Sequence, residues 1–430
     1  MSQLAIKGGN PVRTRLFPSY NTIGEEEKLA VLEVLESGNL SQFLGAWSSD
    51  FLGGPQVKKL ESKWCDHFGV AHAVTVNSNT SGLYTAMGAI GIQPGDEVIV
   101  TPYSMSASAI APLMYGGVPV FADIDPVTFC LDPDSVRSKI SSKTRAILVV
   151  HLFGHPAEMG KIMEIANEFN LFVVEDAAQA PLGIYKGRPV GTIGDIGVFS
   201  LNYHKHIHTG EGGVIVSNNK ELAERCQLIR NHAENIVEHK KLEHLTNMIG
   251  ANYRMTEIEA SIGISQLDKL QGLLEQRIAN VNYFNDKLKS FDTFEVQPFT
   301  DKTSRHCYYQ CPVKFNPLRA GCSRNAFVNA VKSEIPSAVL RESAPLISAG
   351  YVRPLYLLPI FQNKNAFAYR AGYARNDISY DRGICPVVEK MHYENLFTHE
   401  FMRPGMTKDD MDDVIRAFDK VLSHSSELSD

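Results

Sequence analysis

The chain has 430 residues, of which 44% are apolar and 21% are charged, a composition typical of soluble proteins with a sizeable core. Single cores stop growing at about 250–300 residues, so the length predicts at least two domains. The formal net charge of −6 argues against a nucleic-acid surface, and no run of about 20 apolar residues predicts a membrane span.

The N-terminus carries no basic region followed by an apolar run, so no secretory signal is predicted. Seven cysteines are scattered along the chain, which favours neither a disulfide framework nor a zinc knuckle. We therefore expect a cytoplasmic protein with reduced cysteines.

The first predicted element is a helix over residues 25–36, and a glycine-rich, aromatic segment follows at residues 40–54. From about residue 72 to 217, short apolar and β-branched runs alternate with helical stretches. This alternation predicts a mostly parallel, helix-covered α/β sheet. The predicted strands are 72–76, 97–101, 118–122, 146–152, 171–174, 197–200 and 213–217, and the predicted helices between them are 80–90, 107–115 and 156–169.

A long helix is predicted over residues 256–288, because apolar residues recur there at helical spacing without a proline. Shorter elements punctuated by prolines follow, and they end in a predicted helix over residues 407–422. We therefore divide the chain into a large domain of residues 1–255, the linking helix of residues 256–288 and a smaller C-terminal α/β domain of residues 289–430.

An acidic pair, Glu175 and Asp176, follows an apolar predicted strand. Asp176 is therefore expected at the carboxyl end of a parallel strand, where open α/β sheets bind ligands. A carboxylate buried there needs a cationic partner, and a protonated pyridine nitrogen would supply one. Taken alone, such a pair is more often a helix cap or a surface residue, and its value comes from the motifs that follow.

Lys205 lies between two predicted strands, shortly before the glycine-rich run of residues 209–213. A lysine that forms a Schiff base must be held beside its cofactor, and desolvation or neighbouring cations make its amine nucleophilic. The position of Lys205, after Asp176 and before glycines that permit close backbone approach, favours this role over a solvated surface charge.

His204, His206 and His208 alternate around Lys205 and could share one face of an extended segment. Imidazole is a common zinc ligand, so a zinc site is an open alternative. It is disfavoured because no carboxylate or cysteine stands at a supporting spacing and because Lys205 would repel the cation.

Hydroxyl and amide side chains cluster at residues 77–81, where a predicted strand ends and a helix begins. A helix N-terminus offers free N–H groups and a partial positive charge, which suit a phosphate. Plain N-capping by Ser78 or Asn79 is the simpler alternative. Ser200 is a second hydroxyl that could reach the same phosphate.

In this order, the motifs resemble the DegT–StrS family of sugar aminotransferases, within the fold type I enzymes that use pyridoxal 5'-phosphate (PLP). The resemblance rests on Glu-Asp-Ala-Ala-Gln at residues 175–179, on Ser200 followed by Lys205, and on Thr-Gly-Glu-Gly-Gly at residues 209–213. Further matches at residues 94–98, 121–125 and 250–255 extend the resemblance over nearly the whole chain.

The resemblance implies that Lys205 forms the Schiff base with PLP and then moves the proton as general base and acid. It implies that Asp176 keeps the pyridine nitrogen protonated and that Gln179 hydrogen-bonds the 3-hydroxyl of the cofactor. It also implies a homodimer with shared active sites. The residues implied to hold the phosphate are Asn79, Thr80, Ser200 and Asn252, the last reaching the site from the neighbouring subunit.

The loop of residues 102–107 departs from the family, which usually places an aromatic ring over the pyridine. Here Met105 stands at the matching position, and its polarizable side chain can pack on a ring face; Tyr103 is the alternative. Tyr103, Arg254 and His306 are candidate substrate contacts, together with the aromatic segment of residues 40–54.

The resemblance implies transfer of an amino group from glutamate or glutamine to a ketone. We expect the ketone to be a nucleotide-linked keto-deoxysugar, and a cyclitol ketone such as an inosose is the alternative acceptor. The family also contains PLP-dependent dehydratases in which histidine replaces the lysine, so a dehydratase with His204 or His206 beside Lys205 stays open. A PLP-binding sensor is a further alternative, although no DNA-binding segment is evident.

Overall fold

The computed structural model describes residues 3–237, 248–299, 301–336, 345–375 and 377–428. Across these ranges, none of the helices combines the length and the apolar character needed to cross a membrane.

A seven-stranded sheet forms the centre of the protein. The strands up to residue 217 are β1 His72–Val76, β2 Glu97–Val100, β3 Val118–Phe121, β4 Thr144–Val150, β5 Phe172–Asp176, β6 Ile184–Tyr185, β7 Arg188–Pro189, β8 Ile196–Ser200 and β9 Gly213–Ser217. Seven of these nine strands form the central sheet, in the order β1-β9-β8-β5-β4-β2-β3, and β6 pairs with β7 separately. The pairs of β9 with β1 and β8 are antiparallel and the other four pairs of this sheet are parallel, so the predicted mostly parallel sheet is confirmed.

Helices cover the sheet, and four of them differ from the prediction: those at residues 133–139 and 220–230 were not predicted, and the other two are instructive. Helix 55–68 was not predicted, although its apolar residues have helical spacing and Pro55 and Gly69 mark its ends. The predicted helix 107–115 is wrong in its extent, because it is divided at Pro112, whose ring removes a backbone N–H. The helices are α1 Glu25–Ser37, α2 Pro55–Phe68, α3 Asn79–Ala89, α4 Ser106–Ile110, α5 Pro133–Lys139, α6 Met159–Phe169 and α7 Lys220–Arg230.

The long linking helix is α8, Glu257–Leu288, close to its predicted bounds. Its start is fixed by a capping box, in which the Thr256 hydroxyl accepts from the Glu259 amide and the Glu259 carboxylate accepts from the Thr256 amide. Its first half packs against α1 and α2, and its last turns enter a second core through Phe284 and Leu288. α8 therefore spans two cores.

The second core surrounds a four-stranded antiparallel sheet of order β10-β11-β13-β12. Phe284, Phe327, Phe397 and Phe418 fill it. Its strands are β10 Phe294–Val296, β11 Cys311–Phe315, β12 Ile347–Ala349 and β13 Leu396–His399. The helices of this part are α9 Pro317–Ala320, α10 Arg324–Glu334, α11 Pro359–Gln362, α12 Phe367–Arg370, α13 Pro386–Lys390 and α14 Lys408–Ser423.

One stretch of the C-terminal part packs on the large sheet instead. Leu355, Tyr356, Phe361 and Tyr380 belong to the core around that sheet, and the Tyr380 hydroxyl donates to the Pro119 carbonyl at 2.8 Å. The division at residues 255 and 288 stays a proposal. Under this division, residues 355–391 would fold back from the small domain onto the large domain.

His399 makes folding sensitive to acid. Its ring is buried between Phe284 and Phe401, with centroids 4.7 and 5.4 Å away, and burial lowers the pKa of His399 to about 3. The unfolded chain binds a proton near pH 6.5, so the stability contribution of neutral His399 is complete above that pH and is lost as pH falls toward 3.

We expect the free energy of unfolding to fall by about 2 kcal/mol between pH 7.5 and 5 because of this single group. The measurement is urea unfolding at both pH values for the wild type and His399→Phe, which keeps an aromatic ring at this position. The slope with pH should be shallower in the variant, whatever its absolute stability. An equal slope in both proteins would contradict the assignment.

Candidate active site

Polar residues gather where the parallel strands end. Asp176 is the last residue of β5 and Ser200 the last of β8, while α4 begins after β2 and presents Ser108 to the same edge. Carboxyl ends of parallel strands lie at one edge of a sheet, where such folds bind ligands. The turn with Lys205 follows directly after β8.

Asp176 is buried, and its carboxylate accepts hydrogen bonds from uncharged groups. The Ser108 hydroxyl donates to Oδ2 at 2.8 Å and the Ala178 amide to Oδ1 at 3.2 Å. Burial raises the pKa of Asp176, against the lowering influence of Ser108 and Lys205. The site therefore suits a ligand that brings a protonated nitrogen.

Glu175, the residue before Asp176, has a structural role, because backbone amides and His151 donate to its carboxylate. The amides of Gly191, Ile193 and Gly194 donate to its carboxylate at 2.6–2.7 Å. His151 donates from Nε2 at 2.9 Å, because its Nδ1 already accepts the Ala157 amide. Burial alone would raise the pKa of Glu175, but the hydrogen bonds from His151 and the amides outweigh it and lower the pKa. Glu175 therefore holds the loop after β7.

Lys205 lies in a turn, with its amide donating to the Asn202 carbonyl at 2.9 Å. The side chain is half-buried, and Nζ lies 4.3 Å from the centre of the Tyr309 ring. The carboxylate of Asp176 is near enough for Lys205 to act on its pKa. The structure therefore brings together the lysine and the aspartate that the sequence singled out.

The three histidines around Lys205 do not share a face. Residues 203–207 form turns and not an extended strand, and the His206 Nε2 donates to the Cys307 carbonyl at 2.8 Å. Burial, with Arg277 and Lys205 nearby, keeps the pKa of His206 well below its usual value. Within the described part of the chain, no three His, Cys, Asp or Glu side chains are grouped to hold a metal ion. The arrangement does not support the zinc alternative.

The start of α3 offers free amides beside Ser200. Ser78 caps the helix by accepting the Ser81 amide at 3.1 Å, whereas Asn79 and Thr80 occupy the first two helical positions, which lack intrahelical acceptors. Gly213 lies opposite Ser200 in the sheet, and a Cβ on it would come within 2.8 Å of the Asn79 nitrogen. Because glycine permits this close approach, the Ser200 strand and the α3 amides border one cradle suited to a phosphate.

Gln179 links the sheet edge to the C-terminal part. Its Oε1 accepts from the Phe153 amide at 2.6 Å, and its Nε2 donates to the Tyr351 hydroxyl at 3.1 Å. Phe153 adopts a left-handed backbone with φ of 58°. Such strain in a bulky residue is typical of functional sites. The role of Gln179 toward the 3-hydroxyl stays a prediction.

The two candidates for the stacking position differ in environment. Met105 is 62% exposed at the start of α4. Tyr103 is fully buried, its hydroxyl donating to His392 Nδ1 at 3.2 Å and accepting the Tyr351 amide at 2.9 Å. Tyr103 thus serves the packing between the two parts of the chain, and its burial disfavours the predicted substrate contact. Met105 is the candidate whose side chain stays accessible.

The remaining predicted residues are Asn252, Arg254 and His306. Asn252 is exposed and pairs with Asn231 in an isolated bridge, and Arg254 donates to both side-chain carbonyls. His306 is buried, stacked on Tyr308 at 3.8 Å and bonded to Gln297. Burial lowers the pKa of His306 well below its usual value. A substrate contact is thus open to Asn252 and Arg254, while the burial of His306 disfavours one.

Three residues of the site were not predicted as such. Ser108 reaches Asp176, Tyr351 reaches Gln179, and Tyr309 lies over Lys205. Ser108 carries a detectable signal, a hydroxyl in the first turn of the helix predicted after a strand end. Tyr309 lies in the aromatic run of residues 306–309 that begins with the candidate His306, and Tyr351 had no local signal.

Known proteins are similar to this chain over nearly its whole length. A model of the DegT/DnrJ/EryC1/StrS aminotransferase family matches residues 21–419. GDP-perosamine synthase of Caulobacter vibrioides is 33% identical over 86% of this chain and 91% of its own. L-Glutamine:scyllo-inosose aminotransferase of Streptomyces griseus is 30% identical over 100% of this chain and 99% of its own. The structure of an aminotransferase from Psychrobacter cryohalolentis, 27% identical, superimposes with a TM-score of 0.81 over 95% of this chain and 99% of its own.

Proposed function

Because the chain belongs to the DegT/DnrJ/EryC1/StrS aminotransferase family, we propose that it binds PLP at Lys205 and transfers an amino group from glutamate or glutamine to a keto-sugar. The observation that carries the proposal is that the buried carboxylate of Asp176, at the end of β5, and Lys205, in the turn after β8, lie at the same edge of the sheet, where Lys205 acts to lower the pKa of that carboxyl. Bound PLP supplies an electron sink for the carbon that loses or gains the proton.

Residues of the chain orient the cofactor, hold its phosphate and transfer the proton. Asp176, oriented by the Ser108 hydroxyl at 2.8 Å, holds a proton on the ring nitrogen by its charge. The amides of Asn79 and Thr80 and the Ser200 hydroxyl hold the phosphate, which fixes the position of the ring. Lys205 Nζ is the group that takes and returns the proton, a contribution of typically 10²–10⁴-fold.

We propose a nucleotide-linked keto-deoxysugar as the acceptor, since two relatives carry the name GDP-perosamine synthase and match at 33% and 39% identity. A cyclitol ketone is the second candidate. Relatives named for scyllo-inosose or 2-deoxy-scyllo-inosose, at 30% identity, span 99–100% of the chain. The names of these relatives also favour L-glutamine as the donor.

The acceptor can be tested by direct turnover. Purified enzyme is incubated with L-glutamine or L-glutamate and with a panel of nucleotide-linked keto-deoxysugars and scyllo-inosose, and aminated products are identified by mass spectrometry. We expect one amino product for each donor consumed. Sugar consumption without a donor would instead support the dehydratase alternative, and PLP binding without turnover of any acceptor would support a sensor.

We propose that the enzyme is a homodimer whose interface includes an apolar surface beside Asn252. Leu40, Leu44, Trp47 and Ile249 are each at least 45% exposed. The segment of residues 40–54 is tied to the Asn252 side, because Asn231 donates to the Leu44 and Phe51 carbonyls. Exposed apolar patches of this kind mark protein interfaces, and a second copy seated there would bring Asn252 to the neighbouring site.

Trp47→Glu is therefore expected to shift the protein from dimer to monomer and to weaken PLP binding with it, because a charge in the interface core is not compensated. Sedimentation velocity and equilibrium dialysis of PLP are the measurements. Leu318→Glu is the matched control, since Leu318 is 95% exposed in α9, in the C-terminal part of the chain. A Trp47→Glu protein that stays dimeric would place the interface elsewhere.

A further inference from the structure

Two strained backbone segments pair beside Lys205. Phe153 and Tyr308 both have left-handed backbones, with φ of 58° and 49°, which bulky residues rarely adopt. The segments are joined by two hydrogen bonds, from the Cys307 amide to the Gly154 carbonyl at 2.9 Å and from the Tyr309 amide to the Phe153 carbonyl at 2.7 Å. A Cβ on Gly154 would lie 2.9 Å from the Tyr308 nitrogen. Strain of this kind persists only where the surrounding contacts over-determine it.

Several buried groups hold the segment that carries Tyr309. Arg277, from α8, donates to the Tyr308 carbonyl at 3.0 Å, and His206 donates to the Cys307 carbonyl at 2.8 Å. Tyr20 donates to the His206 carbonyl at 2.5 Å. The turn that carries Lys205 and the segment that carries Tyr309 are therefore fixed to each other through backbone atoms.

These backbone contacts fix the position of the Tyr309 ring. The Tyr309 ring lies 4.3 Å from Lys205 Nζ, within the roughly 6 Å over which a cation interacts with an aromatic face. The rings of His204 and His206 flank it at 6.3 and 6.2 Å. Nζ lies over the ring, so the contact involves the ring face.

We propose that Tyr309 is a positioning residue for Lys205, whose ring face receives the Nζ ammonium whenever the lysine is not bonded to the cofactor. The inference rests on the proposed role of Lys205. When the Lys205 amine is detached from the cofactor, its ammonium needs a contact that stabilises the charge less strongly than a close ion pair does, so that the amine can bond to the cofactor again. An aromatic face provides this, since a cation–ring contact is weaker than a buried ion pair.

Other charged and titratable groups act on Lys205 as well. Asp176, on β5, favours the ammonium form, whereas Arg277, on α8, lies close enough to His206 to act on the same cluster. His206 is kept neutral by burial, and His204 packs against Tyr309. All of these residues are retained in the Tyr309 variants, and Tyr309→Phe keeps the ring that His204 packs against, so the comparison of Tyr309→Phe with Tyr309→Leu isolates the effect of the ring.

The test measures the titration of Lys205 itself. The full-length chain, freed of cofactor, is labelled with a trace of acetic anhydride between about pH 6 and 11, a range that spans the ordinary lysine value, and acetylation of Lys205 is read by mass spectrometry. Tyr309→Leu is expected to lower the midpoint by about 0.5–1 pH unit, because the ammonium loses the ring face. Tyr309→Phe keeps the ring and should stay within about 0.2 unit of the wild type.

A control variant and a series of fluorinated rings make the test more specific. Tyr283→Leu removes a surface ring that lies 5.1–5.4 Å from two other lysines and should leave the Lys205 midpoint unchanged. Phenylalanines with increasing fluorination at position 309 keep the size of the ring and weaken its negative face, so the midpoint should fall stepwise even if Tyr309→Leu does not fold.

An unchanged midpoint across the fluorinated series would overturn the proposal. An equal shift in Tyr309→Phe and Tyr309→Leu would also overturn it, since the hydroxyl and not the ring would then be responsible. Labelling needs neither an amino donor nor an acceptor. A failure of the proposed substrate assignment therefore leaves this result intact, and the two failures can be told apart.

Discussion

Lys205→Ala is expected to lower kcat for amino transfer by about 10²–10⁴-fold, the usual contribution of a positioned general acid and base. The variant also loses the covalent attachment of PLP, so the long-wavelength absorbance of the lysine–PLP Schiff base should be absent. The measurements are steady-state turnover with the best donor and acceptor and the visible spectrum of the purified protein.

The control for this prediction is Lys186→Ala. Lys186 is a surface lysine whose side chain is 60% exposed and pairs with Glu158, and its removal should change neither turnover nor the spectrum. If Lys205→Ala retained wild-type turnover, the role of Lys205 would pass to another group, with His204 and His206 as the nearest candidates in the chain.

Asp176→Asn is expected to lower kcat by about 10²–10³-fold, the range seen when a single buried electrostatic contact to the reacting system is removed. Because burial raises the pKa of Asp176, the charged carboxylate is unfavourable in the folded, cofactor-free chain. Replacing it by a neutral amide should therefore leave the free energy of unfolding unchanged within about 1 kcal/mol, or raise it. Turnover and urea unfolding of the same protein preparation test both parts.

Glu175→Gln is the matched comparison, because it makes the same change one residue away. Its carboxylate accepts from His151 and three backbone amides, and their effect lowers its pKa. Removing the charge should cost about 2–4 kcal/mol of stability and leave the kcat of the remaining folded enzyme within a few-fold of the wild type. If the two variants exchanged these outcomes, the roles assigned to the two carboxylates would be wrong.

The contrast between Glu175 and Asp176 marks a limit of the sequence. Both follow the same apolar run, and the alternation of a strand sends their side chains to opposite faces. Which face carries the hydroxyl of Ser108 and which carries His151 depends on the positions of α4 and β4. Those positions follow from packing across the sheet, and no pattern near residue 175 encodes them.

Local features were predicted well because their causes are local. The bounds of β1 and β9, the start of α3 after Ser78 and the start of α8 at Thr256 follow from apolar runs and capping side chains. The missed helix α2 had such signals too, in Pro55 and the spacing of Val57, Leu60 and Trp64.

By itself, the sequence determined the mostly parallel sheet, the strand ends that carry Asp176 and Ser200, the turn that carries Lys205 and the family to which the chain belongs. The tertiary structure alone decided that Tyr309 meets Lys205, that Tyr351 meets Gln179 and that His306 and Tyr103 are buried. The physical reason is that strand and helix signals act over a few residues, whereas these contacts join segments far apart in the chain. Such contacts form only when the two cores close around the sheet edge, and their residue types, tyrosine and histidine, serve equally well in a core or a site.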